Sequence, residues 1–234
     1  MFFLLRLIFT LFFLVNYAFA NSTSSNSIIG EKITQCANKF IGTPYDTNPI
    51  GEYVFRNVII YDEKVDCMYF VFRCTEIAFS NKESSPEQIA LSQRFHTIGI
   101  ISNGFVVNYQ DRFSYADDMV LSSKWGVDIS DKIGHISQIE GTRGISFFNF
   151  VAKNDVRLEN FQNGDIIFFV KSKKDRVVGE IIGHLGFIEI EDGNVYLIHA
   201  SGLKKPETNG SVKKVLLADF LEKTKFIGVV VKRF

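Results

Sequence analysis

The sequence predicts an α+β fold in which helices come first and an antiparallel sheet comes last. In the first part of the chain, apolar residues recur at helical spacing, and Gly, Pro or Ser stand where helices begin and end. From about residue 162 onward, β-branched and aromatic runs such as "NGDIIFFVKS" and "FIGVVVKRF" are separated by Gly and Asp-Gly turns. A block of helices followed by a block of strands is typical of α+β architecture.

The first 20 residues have the pattern of a cleaved secretory signal peptide. Arg6 precedes the apolar run "LIFTLFFLV", and Ala18-Phe19-Ala20 provides a small-residue cleavage site. The run is shorter than the roughly 20 residues that cross a bilayer comfortably, although an uncleaved anchor helix is the alternative. We therefore expect secretion across the inner membrane to the periplasm or the exterior. Residues 21–234 would then form a single domain without membrane contact.

The charge balance argues against a nucleic-acid binder. The chain has 26 basic and 26 acidic residues and a formal net charge of zero, whereas nucleic-acid binding requires a basic excess or stripe. The hydrophobic fraction of 46% is sufficient for a substantial core. We expect a monomer with no nucleic-acid partner.

The first two helices are justified by the residues at their ends. "GEKITQCANKFIG" has apolar residues at helical spacing and stops at Gly42, which predicts a helix over 30–41. "DCMYFVFRCTEIAFS" contains no Gly or Pro and begins at Asp66, a residue type suited to a helix N-cap. A helix over about 67–80 is therefore favoured over a buried strand.

The rest of the chain is assigned in the same way. The segment before the second helix is a loop with a strand-like run near 57–61, and Ser85-Pro86 predicts the start of a further helix. Residues 100–150 are interpreted as a mostly helical or irregular insert, in which "DRFSYADDMVLSSKW" is partly helical. "EDGN" between two apolar runs predicts a tight hairpin near the end of the chain.

The three cysteines have different expected roles. On a helix, Cys67 and Cys74 would lie about 10 Å apart, which exceeds the roughly 7 Å between α-carbons that a disulfide tolerates. An odd number of cysteines in a secreted chain leaves at least one thiol free or paired with another molecule. Cys36 could pair with Cys74 if the first two helices pack antiparallel. The alternative is that Cys74 is a free thiol buried in the core.

Cys67 and two histidines form a candidate catalytic set. Cys67 stands in the first turn of its helix, where the dipole and unpaired N–H groups favour a thiolate and can hold an oxyanion. His184 and His199 fall on the two strands of the predicted hairpin, so one imidazole could accept the thiol proton while the other orients it. A zinc site made of the same three residues is the alternative, disfavoured because zinc sites usually include closely spaced ligands. His96 and His135 are interpreted as ordinary structural or surface residues.

These motifs, in this order, resemble the NlpC-type cysteine hydrolases of bacterial cell walls. The resemblance rests on "IGTPY", "VDC", "NGDIIFF", "GHLGFI" and "LIHAS". The segments "FHTIGI" and "DRFSYADD" are similar to the N-acetylmuramoyl-L-alanine amidase-like branch. The resemblance implies a papain-like fold with Cys67 as nucleophile, His184 as base and His199 as the orienting residue. It implies no cofactor and no metal.

The resemblance also implies a set of residues on the substrate side. They are Tyr45, Asp66, Arg112 and Tyr115. The chain departs from the amidase-like branch at Ser114, where a histidine is typical, and at Met119, where an aromatic residue is typical. Both departures bear on substrate preference and not on the catalytic set.

The implied function is hydrolysis of peptidoglycan, or of muropeptide fragments, by a thiol-dependent N-acetylmuramoyl-L-alanine amidase. Two alternatives use the same fold. One is an endopeptidase that cuts the stem peptide between D-glutamate and the diamino acid. The other is a wall-binding module that has lost catalysis. A toxin-like effector directed at other cells is a further possibility, although the signal peptide fits remodelling of the cell's own wall better.

Overall fold

The computed structural model describes residues 28–205 and 209–234. The expected signal peptide lies outside these residues. Within the described ranges, no helix is both long and apolar enough to cross a membrane. The α-helices in these ranges are α1 (28–39), α2 (Glu52–Phe55), α3 (Cys67–Phe79), α4 (Pro86–Gln93), α5 (Ala116–Leu121), α6 (Ser130–Ile133) and α7 (Leu217–Lys223).

The strands form one large antiparallel sheet and one small hairpin. The strands are β1 (Ile101–Ser102), β2 (Phe105–Val106), β3 (Val127–Asp128), β4 (Ile136–Glu140), β5 (Phe147–Ala152), β6 (Ile166–Val170), β7 (Ile182–Glu191), β8 (Asn194–Ser201), β9 (Ser211–Leu216) and β10 (Gly228–Arg233). Strands β1 and β2 pair only with each other, whereas the large sheet has the order β4-β5-β10-β6-β7-β8-β9, with β3 also paired to β10. The predicted α+β class and the C-terminal antiparallel sheet are confirmed.

The centre of the large sheet is buried on both faces. Along β6, Ile166, Phe168 and Val170 belong to the larger apolar cluster, together with α3 residues such as Phe70. The alternate residues Ile167 and Phe169 belong to a second cluster with α7. Because both faces are covered, β6 is a continuous apolar run instead of an alternating one.

Helix α3 begins as the sequence predicts. Asp66 is its N-cap, and the Asp66 side chain accepts a hydrogen bond of 2.7 Å from the N–H of Tyr69. The Phe70 ring packs edge-on against Phe187 of β7, with ring centroids 5.5 Å apart. Helix α4 also begins where expected, with Ser85 and Gln88 forming a capping box. These contacts fix the N-terminal end of α3 near the sheet.

A disulfide joins α1 to α3. Cys36 and Cys74 form this bond, with their α-carbons 5.3 Å apart. Of the two alternatives for Cys74, the structure therefore has the disulfide and not the free core thiol. Cys67 remains as the free cysteine.

The predicted "EDGN" hairpin is confirmed as the turn between β7 and β8. Glu191 pairs with Asn194, and the two residues between them, Asp192 and Gly193, have φ values of 50° and 76°. Positive φ at both central positions is the mark of a type I′ turn, whose twist matches that of the flanking strands. The turn sets the register that places the two hairpin histidines.

The prediction of a strand near 57–61 is wrong. Helix α2 precedes this segment, and the segment itself has no regular structure. Its backbone groups have partners outside any ladder: the Ile59 carbonyl accepts from the Arg94 side chain, and the Tyr61 N–H donates to the Tyr69 hydroxyl. Those contacts replace strand pairing.

The expectation of a mostly helical or irregular insert over 100–150 is also wrong in part. Helix α5 and the 3₁₀ turn Ser123–Trp125 confirm its helical portion. However, β4 and β5 pair with each other, and β5 joins the large sheet through β10. Phe148 and Phe150 of β5 are buried while their neighbours Phe147 and Asn149 are exposed. The burial of residues 147–150 alternates, but the run "FFNFVA" does not alternate between apolar and polar residues, so the sequence did not reveal this strand.

Candidate active site

Cys67 opens α3 at the floor of a cleft. Its sulfur accepts hydrogen bonds from the backbone N–H groups of Met68 in the same helix and of Leu185 in β7. Burial raises the pKa of the thiol to about 12, and the neighbouring Asp66 carboxylate acts in the same direction. Lys204 and the two N–H groups oppose this increase because they favour the thiolate. At rest Cys67 is therefore a neutral thiol, and the groups that favour its thiolate are already in place.

His184 and His199 form a hydrogen-bonded pair. The His184 Nε2 and His199 Nδ1 atoms lie 2.6 Å apart. Burial lowers the pKa of His184 to about 3, with a further lowering from His199. Burial also lowers the pKa of His199 to about 4, assisted by Lys213 on β9. Both imidazoles are therefore neutral near pH 7, and one proton is shared across the pair.

Three phenylalanines enclose His184. Its ring centroid lies 5.9 Å from that of Phe169, 6.1 Å from Phe220 and 6.3 Å from Phe226. Phe169 and Phe226 have ring planes close to parallel with the imidazole. Apolar rings of this kind exclude water, which accounts for the neutral imidazole. Sequence reasoning missed these residues because phenylalanine is abundant throughout the chain.

The cleft has a volume of about 470 Å³ and brings most of the expected site residues together. Its lining includes Tyr45, Asp66, Cys67, Arg112, Tyr115 and His184. His199 is 5% exposed and lies behind His184 instead of in the lining. A thiol and an imidazole therefore line the same cleft, and a second imidazole behind the first is hydrogen-bonded to it.

The two departures from the amidase-like pattern lie in different places. Ser114 lines the cleft, so the shorter side chain at this position changes the surface that a ligand would meet. Met119 is fully buried in the larger core cluster. The presence of methionine in place of an aromatic residue at this position therefore affects the packing of the core.

Asp66 has both of its carboxylate oxygens engaged within the protein. Oδ1 accepts from the Tyr69 N–H at 2.7 Å, and Oδ2 lies 2.8 Å from Lys204 Nζ. Lys204 lines the cleft and was missed by sequence reasoning. No local signal marked Lys204, because its place depends on the loop after β8 passing the start of α3. Asp66 is thus a structural carboxylate as well as a cleft residue.

The insert contributes one wall of the cleft. The Arg143 guanidinium lies 3.8 Å from the centroid of the Tyr115 ring and pairs with Asp117 at 2.7 Å. Asp117 is fully buried, and its other oxygen accepts the N–H groups of Ile181 and Ile182 at 3.2 and 3.0 Å. Residues 181 and 182 lead directly to His184, so these contacts join the insert to the strand that carries His184.

Arg112, the other substrate-side residue of the insert, lies at the same wall. Its Nη1 donates to the carbonyl of Tyr109 at 3.0 Å, and the residue is half-buried at the cleft. Lys171 and Glu180 form an ion pair that also lines the cleft. Among residues 28–205 and 209–234, no group of three or more His, Cys, Asp or Glu side chains could hold a metal ion.

Solved structures share this architecture at low sequence identity. An N-acetylmuramoyl-L-alanine amidase from Bacteroides uniformis superposes with a TM-score of 0.65 and 17% identity, covering 88% of this chain and 98% of that one. A putative xylanase from Bacteroides fragilis gives a TM-score of 0.62 and 18% identity, covering 86% of this chain and 100% of that one. Protein LPG0564 from Legionella pneumophila, described as DUF1460, gives 0.63 and 17%, covering 90% of each chain.

No protein-family model and no curated protein sequence matches the chain. The structural matches establish a shared fold with amidase-like and DUF1460 proteins. The papain-like, NlpC-type assignment stays a prediction, since none of these three proteins carries that description.

Proposed function

We propose that the protein is a secreted cysteine amidase that cleaves peptidoglycan between the lactyl group of N-acetylmuramic acid and L-alanine. The observation that carries the proposal is the 2.6 Å hydrogen bond that His199 makes with His184, which lines the same cleft as Cys67. A thiol, a base and a group that orients the base are the parts needed for acyl transfer through a covalent intermediate. The shared fold with an N-acetylmuramoyl-L-alanine amidase supports the choice of substrate.

The tautomer of the pair decides how the base works. His184 Nε2 faces His199, so its Nδ1 is the nitrogen left for the thiol. If Nε2–H donates to His199 Nδ1, Nδ1 of His184 carries a free lone pair and can take the proton of Cys67. The His199 acceptor then stabilises the imidazolium that forms. Because the aromatic enclosure disfavours that charge, the imidazolium exists only while the thiolate or oxyanion balances it.

The reaction proceeds in two halves. Cys67 Sγ attacks the lactyl carbonyl carbon as its proton moves to His184, and backbone N–H groups at the start of α3, including that of Cys67, hold the oxyanion. His184 then protonates the amine of L-alanine, the C–N bond breaks and the peptide leaves. In the second half, His184 takes a proton from water and the hydroxide attacks the thioester carbonyl. The C–S bond then breaks, and His184 returns the proton to the Cys67 sulfur. The products are a lactyl carboxylate on the sugar and free Cys67 thiol.

The residues of the substrate side take the rest of the ligand. Tyr45, Arg112 and Tyr115 line the cleft around the nucleophile and are proposed to hold the sugar and the stem peptide. Asp66 acts on the ligand indirectly, because both of its carboxylate oxygens already have protein partners. The Cys36–Cys74 disulfide supports export, since such bonds persist in oxidising compartments. We propose that the exported protein acts as a monomer.

Digestion of purified muropeptides by the wild type and by Cys67→Ala tests the proposal. Mass spectrometry is expected to show disaccharides with a free lactyl carboxylate and intact stem peptides, produced only by the wild type. Stem peptides cut between D-glutamate and the diamino acid, with the lactyl amide intact, would instead identify the endopeptidase. Equal digestion by Cys67→Ala would exclude the thiol mechanism. Binding of sacculi without any cleavage by the wild type would identify a wall-binding module.

A further inference from the structure

Lys204 reaches from the loop after β8 to the residue that precedes the nucleophile. Its Nζ lies 2.8 Å from Asp66 Oδ2 and 2.7 Å from the carbonyl oxygen of Asn48. It also lies 5.6 Å from the centroid of the Tyr45 ring. Three partners from two separate segments therefore fix the ammonium in the cleft that contains Cys67.

We propose that Lys204 is a positioning residue that sets the reactivity of Cys67, because its ammonium neutralises the Asp66 carboxylate beside the thiol. This inference rests on the proposed role of Cys67 as nucleophile.

The Asp66 carboxylate has two opposing effects at the start of α3. The Asp66 side chain caps the helix through the N–H of Tyr69, and such a cap stabilises the helix. The same carboxylate places a negative charge next to Cys67, where it opposes formation of a thiolate. An ammonium on the second carboxylate oxygen retains the cap and cancels much of the opposing charge.

The other groups around the thiol do not provide this compensation. The charged or titratable groups that line the cleft with Cys67 are Tyr45, Tyr53, Asp66, Arg112, Tyr115, Lys171, Glu180, His184 and Lys204. Tyr45 and His184 are neutral because burial raises the pKa of the tyrosine and lowers that of the histidine. Asp46 is an additional acid, and it is buried. Arg112 donates to a backbone carbonyl and Lys171 pairs with Glu180, so Lys204 is the cation that pairs with Asp66.

Alkylation of the resting enzyme tests the inference without any substrate. Cys36 and Cys74 are joined, so iodoacetamide reports on Cys67 alone. At fixed pH, Lys204→Met is expected to slow alkylation about tenfold, which corresponds to a one-unit increase in the thiol pKa. Lys204→Arg is expected to restore most of the rate. Asp66→Asn keeps a good N-cap but removes the negative charge, and is expected to alkylate faster than the wild type.

The double variant Asp66→Asn/Lys204→Met separates charge compensation from a purely structural role of Lys204. Without either charge, alkylation is expected to return to about the wild-type rate. Lys214→Met is the matched control, since Lys214 also pairs with carboxylates and lies 4.6 Å from a tyrosine ring, but on β9 away from the cleft. A wild-type rate for Lys204→Met, or a double variant as slow as Lys204→Met, would overturn the inference. Neither result depends on which amide bond the enzyme cleaves, so the muropeptide experiment remains a separate test.

Discussion

His184 and His199 meet diagonally across strands β7 and β8. Phe187 pairs with Ile198, so continuation of the register puts Gly186 opposite His199 and His184 two residues further along the same face. A Cβ at Gly186 would come within 3.0 Å of His199 Cβ and within 2.6 Å of the Ile198 carbonyl oxygen. The absence of a side chain at Gly186 is therefore what leaves room for the imidazole pair.

Substitution of Gly186 by Ala is expected to lower kcat at least tenfold. The added methyl must displace His199 or the β8 backbone, and either movement breaks the hydrogen bond that orients the base. Steady-state kinetics on a muropeptide would measure the effect, with the Cys67 alkylation rate as a second readout. The control is Gly193→Asn on the same hairpin, because asparagine tolerates the φ of 76° in its turn. Unchanged kcat in Gly186→Ala would show that the pair does not need its present geometry.

The buried histidine pair is expected to make the fold sensitive to acid. The folded-state pKa values of His184 and His199, about 3 and about 4, lie below the ordinary value of 6.5. An unfolded chain therefore binds more protons than the folded one below pH 6.5. The free energy of unfolding should be constant above this pH and decrease as the pH falls towards the two folded-state values.

Urea unfolding at a series of pH values from about 8 to about 4 would measure this dependence, because this range brackets the ordinary histidine pKa. The double variant His184→Gln/His199→Gln should show a shallower decrease, because it lacks the two groups that take up protons on unfolding. His135→Gln is the control, since His135 is exposed. An identical pH dependence in the double variant and the wild type would contradict the assignment of the pair as neutral.

The sequence was sufficient to predict the elements whose ends carry strong local signals. Asp66 and Ser85 define helix starts by side-chain hydrogen bonds to nearby N–H groups, and Asp192-Gly193 defines a turn by its φ values. All of these are interactions within a few residues. The proximity of His184 and His199 could be predicted for the same reason, because the hairpin turn fixes which β7 and β8 residues approach each other.

What the sequence could not reveal depends on contacts between distant segments. Strand β5 pairs with the distant strand β10. The segment 57–61 is not a strand, because its backbone groups bond to the Arg94 and Tyr69 side chains. Lys204 acquires its place only because the loop after β8 passes the start of α3. Each of these depends on the tertiary arrangement, which neither periodicity nor residue type encodes locally.

Removal of the Cys36–Cys74 disulfide is expected to lower the free energy of unfolding by about 3 kcal/mol. The bond closes a loop between residues 38 positions apart, and so restricts the unfolded chain. Urea unfolding of Cys36→Ala/Cys74→Ala would measure the loss, and the wild type treated with a reductant serves as the comparison. Thiol titration of the urea-unfolded wild type should find one reactive group before reduction and three afterwards. Three groups without reduction would exclude the bond.

The contacts of Arg143 and Asp117 that join the insert to β7 are expected to support both stability and catalysis. Arg143→Gln leaves the buried Asp117 carboxylate without its cation, which should cost about 2 kcal/mol of unfolding free energy. It also removes the cation from the Tyr115 ring at the cleft wall. We therefore expect a higher KM in addition to the lower stability, measured by urea unfolding and by steady-state kinetics on a muropeptide.

Two further variants distinguish the loss of these contacts from a general effect of losing an arginine. Asp117→Asn/Arg143→Gln removes both charges, and the asparagine carbonyl can still accept the N–H groups of Ile181 and Ile182. It should therefore be more stable than Arg143→Gln while its KM stays high, because the Tyr115 ring remains uncovered. Arg56→Gln is the matched surface control, since Arg56 pairs with Glu52 and lies over the Tyr61 ring in solvent. Its stability should hardly change. If Arg143→Gln were as mild as Arg56→Gln, the insert would have no part in holding the strand that carries His184.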